Sequence, residues 1–403
     1  MTWLITGAGC SISPCGTVDG SGLFTAPVSV PNPATVTIVA TSTLDPTKSA
    51  TALITISPAP LPPSGTFSLT GSMTMPRSGH SATFLPDGRV LIAGGDGPPG
   101  NPAGRSAEIY DAATGLFTAT GSMNMPRANH SAVLLPNGKV LIVGPDVSLG
   151  AELYDPSSGT FQVTGAMLAQ PAVWTAALLG NGKVLVAGST GAQLYDPASG
   201  TFQPTGPYAG PPADNSPTAV ALPDGRALLV GTNPPQLYDP AHNAFSSTGS
   251  LSSTGVFGTD LYSATLLTSG KVLIAGGMDF GRTNAAALYD PTTGSFAVTG
   301  SMSAARDAHA AVLLPDGRVL VVGGDGWACS STLCQFSGSV ALAELYNPAT
   351  QRFESAGNAN VARTEPRATV LKNGDVLITG GWLYCGIGCF NGSTATAELY
   401  HPQ

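Results

Sequence analysis

Short apolar runs of four or five residues, rich in Val, Ile and Leu, recur along most of the chain, as in Val90-Leu-Ile-Ala93 and Val272-Leu-Ile-Ala275. Each is bounded by Gly, Pro, Asp or Asn, and no stretch sustains a 3.6-residue apolar period. The pattern therefore predicts short β-strands joined by tight turns, not helices.

The runs belong to a repeated unit. The segment His80 to Gly95 recurs as His130 to Gly144, Trp174 to Gly188, Pro217 to Gly231, Tyr262 to Gly277, His309 to Gly324 and Pro366 to Gly381, seven copies in succession. Their turn glycines, Gly88, Gly138, Gly182, Gly225, Gly270, Gly317 and Gly374, are spaced by about 40 to 57 residues, the period of a propeller blade.

Four strands, a to d, can be read in each unit. Strand a is a small apolar run of the Ser-Ala-Thr-Phe-Leu type, and a Pro-Asp-Gly turn leads into the Val-Leu-Ile run of strand b. Strand c ends in Tyr110, Tyr154, Tyr195, Tyr238, Tyr289, Tyr346 or Tyr400, and strand d opens on an aromatic such as Phe117, Phe161 or Phe353. The seventh unit stops after strand c, whereas Gly65-Thr-Phe67-Ser-Leu69 matches strand d and precedes any strand a. The expected fold is thus all-β, a seven-bladed propeller over residues 65–403 closed by an N-terminal d strand, which hides the edges of an open sheet.

The double glycine after strand b and the Tyr-Asp-Pro after strand c make this region resemble the kelch repeat family, in the style of the galactose-oxidase central propeller. Blades 2, 3 and 4 depart from the pattern in keeping one glycine (Gly144, Gly188, Gly231), and blade 7 has His401 where Asp is usual. Residues 1–58 resemble the latter part of a bacterial immunoglobulin-like module, expected as a truncated β-domain, and residues 59–64 form a Pro-rich linker of limited flexibility.

Composition narrows the partners. Charged residues make up 10% of the chain and the net charge is −8, so there is no basic field for nucleic acid or anionic lipid. No apolar run is long enough for a membrane helix, and membrane insertion is not expected. The six cysteines fall in close pairs, Cys10/Cys15, Cys329/Cys334 and Cys385/Cys389, which read as three disulfides and hence an extracellular or cell-surface location. A zinc site would need four converging ligands, and no pair has a nearby His or second cysteine pair. The opening residues lack an export signal, so the native start is expected elsewhere.

Function is expected on the face that carries the b-to-c and d-to-a connections, because their lengths vary while the a-to-b and c-to-d turns are uniform. Arg77, Arg105, Arg127, Arg282, Arg306, Arg363 and Arg367 all map there. Arg77, Arg127, Arg306 and Arg363 share one repeat position in blades 1, 2, 6 and 7, and Glu108, Glu152, Glu344 and Glu398 share another in the same four blades. Blades 3, 4 and 5 lack both, which marks these residues as structural ion pairs. The ligand-binding candidates left are Asp96, Arg105, Trp174, Asp260, Tyr262, Asp279, Arg282, Asp325, Trp327, Arg367, Trp382 and Tyr384, a set of acids, arginines and aromatic platforms suited to sugar or peptide. His80, His130 and His309 open strand a and read as structural.

Three functions follow. The leading one is a non-catalytic binding module for glycan or protein, with no cofactor and no metal. The second is a lyase or hydrolase acting on polysaccharide, since Asp260, Asp279 and Asp325 could converge. The resemblance also implies a copper-radical oxidase, whose centre needs two Tyr, two His and a Cys joined to one Tyr; seven of the ten tyrosines here are consumed by the strand-c position. The third is self-association through the N-terminal β-segment, whose incomplete sheet would expose strand edges.

Overall fold

The computed structural model describes residues 1–6, 15–25, 35–55, 65–97, 104–144, 150–168, 174–189, 191–210, 217–251, 254, 261–278, 283–329, 334–386 and 389–403. They belong to two compact units, Met1–Pro62 and Pro63–Gln403. The named elements are all strands, and among the described residues no helix is long and apolar enough to cross a membrane.

In the first unit Thr2–Thr6, Thr35–Thr41 and Ser49–Thr55 form an antiparallel sheet with Thr35–Thr41 in the middle, and Thr17–Val18 pairs with Phe24–Thr25. Ile5, Phe24 and Ile54 pack on Cys15 and Val36. Alternation along the strands leaves Leu4 and Leu53 exposed on the other face.

The second unit contains, among the described residues, seven four-stranded antiparallel sheets. Their innermost strands are Ser81–Phe84, Ser131–Leu134, Trp174–Leu178, Thr218–Ala221, Ser263–Leu266, Ala310–Leu313 and Arg367–Val370. Each packs against the next, and the last packs against the first, so the sheets form a ring around an axis. The last sheet runs Arg367–Val370, Val376–Thr379, Ala397–Pro402 and then Gly65–Leu69, with Phe67 opposite Tyr400. Two loops are themselves hairpins: Asp325–Cys329 with Cys334–Ser339 in blade 6, and Trp382–Gly386 with Cys389–Ser393 in blade 7.

The apolar runs are the second strands, and their period-two alternation feeds two different cores. In blade 1, Leu91 and Ala93 pack with Val140 and Ile142 of blade 2, whereas Val90 and Ile92 pack with Leu371 and Leu377 of blade 7. All four are fully buried, which is why the run is continuously apolar instead of alternating with polar residues. The strand-c tyrosines bolt the blades together further out. Tyr154 donates to or accepts from Thr120 at 2.9 Å, Tyr195 likewise from Thr164 at 2.9 Å, and Tyr346 from Thr299 at 2.7 Å, each threonine lying on the preceding blade. Each ring also meets the aromatic that opens strand d, at 4.8 Å for Tyr154 and Phe161.

The arginines lock the ring on the side of the variable loops. Arg77 is fully buried, and its guanidinium reaches Glu108 (Nη2 to Oε1, 2.7 Å) and donates to the carbonyls of Gly94 (2.8 Å) and Ser106 (3.0 Å), all in blade 1. Its own carbonyl accepts from the Gly381 amide of blade 7 at 2.8 Å. Arg127–Glu152, Arg306–Glu344 and Arg363–Glu398 repeat the device at 3.2, 2.7 and 2.9 Å. One residue therefore holds one blade by its main chain and the next by its side chain. Glu108 is fully engaged, since its second oxygen accepts the Thr74 amide at 2.7 Å. In blades 3 and 4 Gln193 and Gln236 keep the contact to the preceding loop, with Leu168 and Ala209, but carry no charge. The first glycine of the pair sits in this crowded junction: Gly94 has φ +65°, and a side chain there would collide with the Arg127 carbonyl.

His80, His130 and His309 also bridge blades. Their Nε2 atoms meet Thr379 (2.8 Å), Ser81 (2.9 Å) and Ser263 (2.8 Å) of the preceding blade. Burial, aided by nearby arginines, holds the His80 imidazole well below its ordinary range and lowers those of His130 and His309 to about 3.

Two stability predictions follow from these junctions. Arg306→Met strands the Glu344 carboxylate and two carbonyls in the interior, and should cost about 3–5 kcal/mol in denaturant unfolding; a loss below about 1 kcal/mol would show that the clasp is not what holds blades 5 and 6. Because the unfolded histidines bind protons near pH 6.5 and the folded ones do not until about 3, stability is full above the higher value and falls as pH drops through that window. Unfolding midpoints measured from pH 7 to pH 5 should decline, and more weakly in His130→Asn; a flat profile in the parent protein rejects this account.

Candidate functional site

A cavity of about 440 Å³ opens on the ring axis at the starts of the innermost strands, with lining residues from all seven blades. Its character is set by Asn129, Leu261, Tyr262, Ala308, Glu365 and Arg367. Four of these occupy one repeat position, immediately before strand a: Asn129, Leu261, Ala308 and Glu365, with φ of 54°, 59°, 49° and 54°. Gly79 is the blade 1 equivalent at 60°. For Leu, Ala and Glu the left-handed region is sparsely populated, so the surroundings must impose it. They do so through backbone bonds passing from blade to blade. The Asn129 amide donates to the Gly79 carbonyl at 2.7 Å, Ala308 to Leu261 at 2.9 Å and Glu365 to Ala308 at 2.8 Å.

Glu365 and Arg367 are the charged residues among the described lining. Arg367 Nε donates to the His80 carbonyl at 2.7 Å, and burial pulls its basicity below the ordinary value, partly restored by Glu365. Burial pushes the Glu365 carboxyl above the usual range; Arg367 and a hydrogen bond from the Trp382 side chain oppose this, while Asp325 and Asp96 add to it. Glu365 thus links the axial cavity to the loops of blades 6, 7 and 1.

Of the residues expected from sequence to bind ligand, Tyr262 and Arg367 line the cavity, the tyrosine buried and the arginine half-buried. Trp382, Tyr384 and Asp325 are half-buried and gather beside Glu365, where the Thr364 hydroxyl donates to Asp325 and Ser339 joins Thr364 at 2.9 Å. Asp96 is exposed, its backbone paired with Ser78, and Arg105 is exposed and outside the cavity lining. The backbones of Trp174 and Trp327 lie in strands, but their side chains fall outside the described residues, as do Asp260, Asp279 and Arg282 altogether. Glu365 is the residue that sequence reasoning missed. The available signal was its place one residue before the repeated segment, where it is the sole acid among the five described rim residues.

Cys15 is disulfide-bonded, while Cys10 lies outside the described residues. Cys329 and Cys334 are direct cross-strand partners in the blade 6 hairpin, and Cys389 faces Gly386 in the blade 7 hairpin; the side chains of these three cysteines and of Cys385 are outside the described set.

The histidines and tyrosines do not fit a copper-radical centre. All five histidines and ten tyrosines are described. Three histidines are committed to hydroxyls between blades, and His242 and His401 pair with Asp239 (2.7 Å) and Asp375 (2.9 Å) on the turn side. Seven tyrosines end strand c, and no group of three or more His, Cys, Asp or Glu among the described residues is arranged to hold a metal ion.

No protein-family model and no curated protein matches the chain. Among solved structures, a fungal alcohol oxidase of the AA5 family, in complex with copper, is similar with a TM-score of 0.68 at 17% sequence identity, over 84% of this chain and 76% of that one. At that identity the likeness speaks to the fold alone, an all-β propeller.

Proposed function

We propose that this protein is a secreted or surface-attached binding module that takes saccharide at the channel mouth, on the face of the b-to-c and d-to-a loops. The observation that carries this reading is the axial cavity with the carboxylate–guanidinium pair of Glu365 and Arg367 among its described lining, flanked by the half-buried Trp382 and Tyr384. Its volume is in the range of small-ligand sites, and a rim of amide, carboxylate and guanidinium groups beside aromatic faces suits a hydroxyl-rich ring. The cysteine pairs, read as disulfides stapling the loop hairpins of blades 6 and 7, support an oxidising, extracellular setting. The first unit serves in this reading as an immunoglobulin-like spacer.

A glycan array followed by titration of the intact chain tests the proposal. Trp382→Ala should weaken saccharide binding about tenfold, the loss of one aromatic platform and its polar contact. Binding with no product formed supports a module; product released in the same assay makes the protein an enzyme. Binding untouched by both Trp382→Ala and Trp327→Ala places the ligand on another face, and capture of peptides in preference to saccharides overturns the ligand class.

A further inference from the structure

The rim position before strand a separates two jobs that one residue usually shares. Its backbone is fixed by amide-to-carbonyl bonds between blades, whatever the side chain, as Gly79, Asn129, Leu261, Ala308 and Glu365 all hold φ between 49° and 60°. Four of those side chains or their backbones line the cavity. The residue type at this position is thus free to vary with the ligand while the fold stays the same.

Resting on the saccharide reading above, we infer that Glu365 is the specificity-determining residue of the mouth, and that it selects sugars bearing an amino group over neutral ones and rejects uronates. The carboxylate is held in place from two sides, by its own amide bonded to Ala308 and by the Trp382 side chain. Arg367 donates its Nε–H to the His80 carbonyl and stands beside Glu365, whose charge offsets its own. Asp325 and Asp96 lie near enough to act on the same carboxyl, so this side of the mouth carries more acid than base. An ammonium group entering beside Glu365 gains a charge-assisted hydrogen bond in a partly desolvated site, whereas a uronate there meets the like charge of Glu365.

Calorimetric titration of the intact chain near pH 6 with oligomers of glucosamine, glucose and galacturonate tests this, with Glu365→Gln as the variant and thermal melts as a folding control. The protein should bind the glucosamine oligomer most tightly and the galacturonate oligomer least. Glu365→Gln, which keeps shape and an acceptor but removes the charge, should weaken glucosamine binding about tenfold more than it weakens glucose binding. Saccharide binding that ignores charge, or a Glu365→Gln profile identical to the parent's, overturns the role of Glu365 and leaves the saccharide reading intact. Absence of binding by all three oligomers overturns the saccharide reading and this inference with it. If Glu365→Gln melts much earlier than the parent, Glu365→Asp, which retains the charge, decides: retained preference for glucosamine over glucose supports the inference, and lost preference rejects it.

Discussion

Everything in the propeller depends on the burial of both faces of each second strand. Val90, Leu91, Ile92 and Ala93 are completely shielded, yet blade 1 covers neither side by itself; blades 7 and 2 do. A sheet with two apolar faces has no stable existence alone, and adding a neighbour on one side only moves the problem along the row. Closure is the solution, and it requires the seventh sheet to be as complete as the others. Gly65–Leu69 completes it, bringing Phe67 onto Tyr400 with ring centroids 5.0 Å apart, the same pair that every other blade makes locally.

Apolar packing covers the body of the blades but not the end where the loops leave, because the loop carbonyls there need donors. The clasping arginines supply them. The four clasped blades, 6, 7, 1 and 2, are contiguous in the ring, and the gathered side chains of Asp325, Glu365, Arg367, Trp382 and Asp96 all stand on this arc. Buried ion pairs are weak contributors to net stability but costly to break, so they fix geometry more than they add free energy. That is the property a preorganised ligand site needs, and blades 3 to 5, with Gln193, Gln236 and Ala287, lack it.

Much of this was legible in the sequence because repetition turns one chain into seven parallel experiments. The strands, the turn glycines and the strand-c tyrosines stand out by recurrence, and Arg77 and Glu108 stand out by recurring in the same blades as their equivalents. The site was less legible for the opposite reason: it is made where the copies differ. Composition pointed to aromatic and charged residues in long loops, and Trp382, Tyr384, Asp325 and Arg367 do gather. Asp96 joins them from an exposed position, whereas Arg105 shares their chemistry but is exposed and outside the cavity lining, since sequence position within a loop does not say which way the loop leans. Glu365 carried no motif at all. Its importance arises from a backbone angle and from neighbours contributed by three blades, neither of which a linear pattern expresses.

The rim also explains why the variability is tolerated. Placing a non-glycine residue in the left-handed region costs on the order of 1 kcal/mol, and Leu261 and Ala308 sit there without the local hydrogen-bonding side chain by which Asn favours it. The offset lies in the interblade amide bonds, each worth roughly 0.5–1.5 kcal/mol and formed by backbone atoms common to every residue type. Conformation at this position is therefore a property of the ring, not of the residue occupying it. A glycine in blade 1 and a glutamate in blade 7 satisfy the same geometry, so exchanging one side chain for another alters the rim of the cavity without unsettling the closure that holds it.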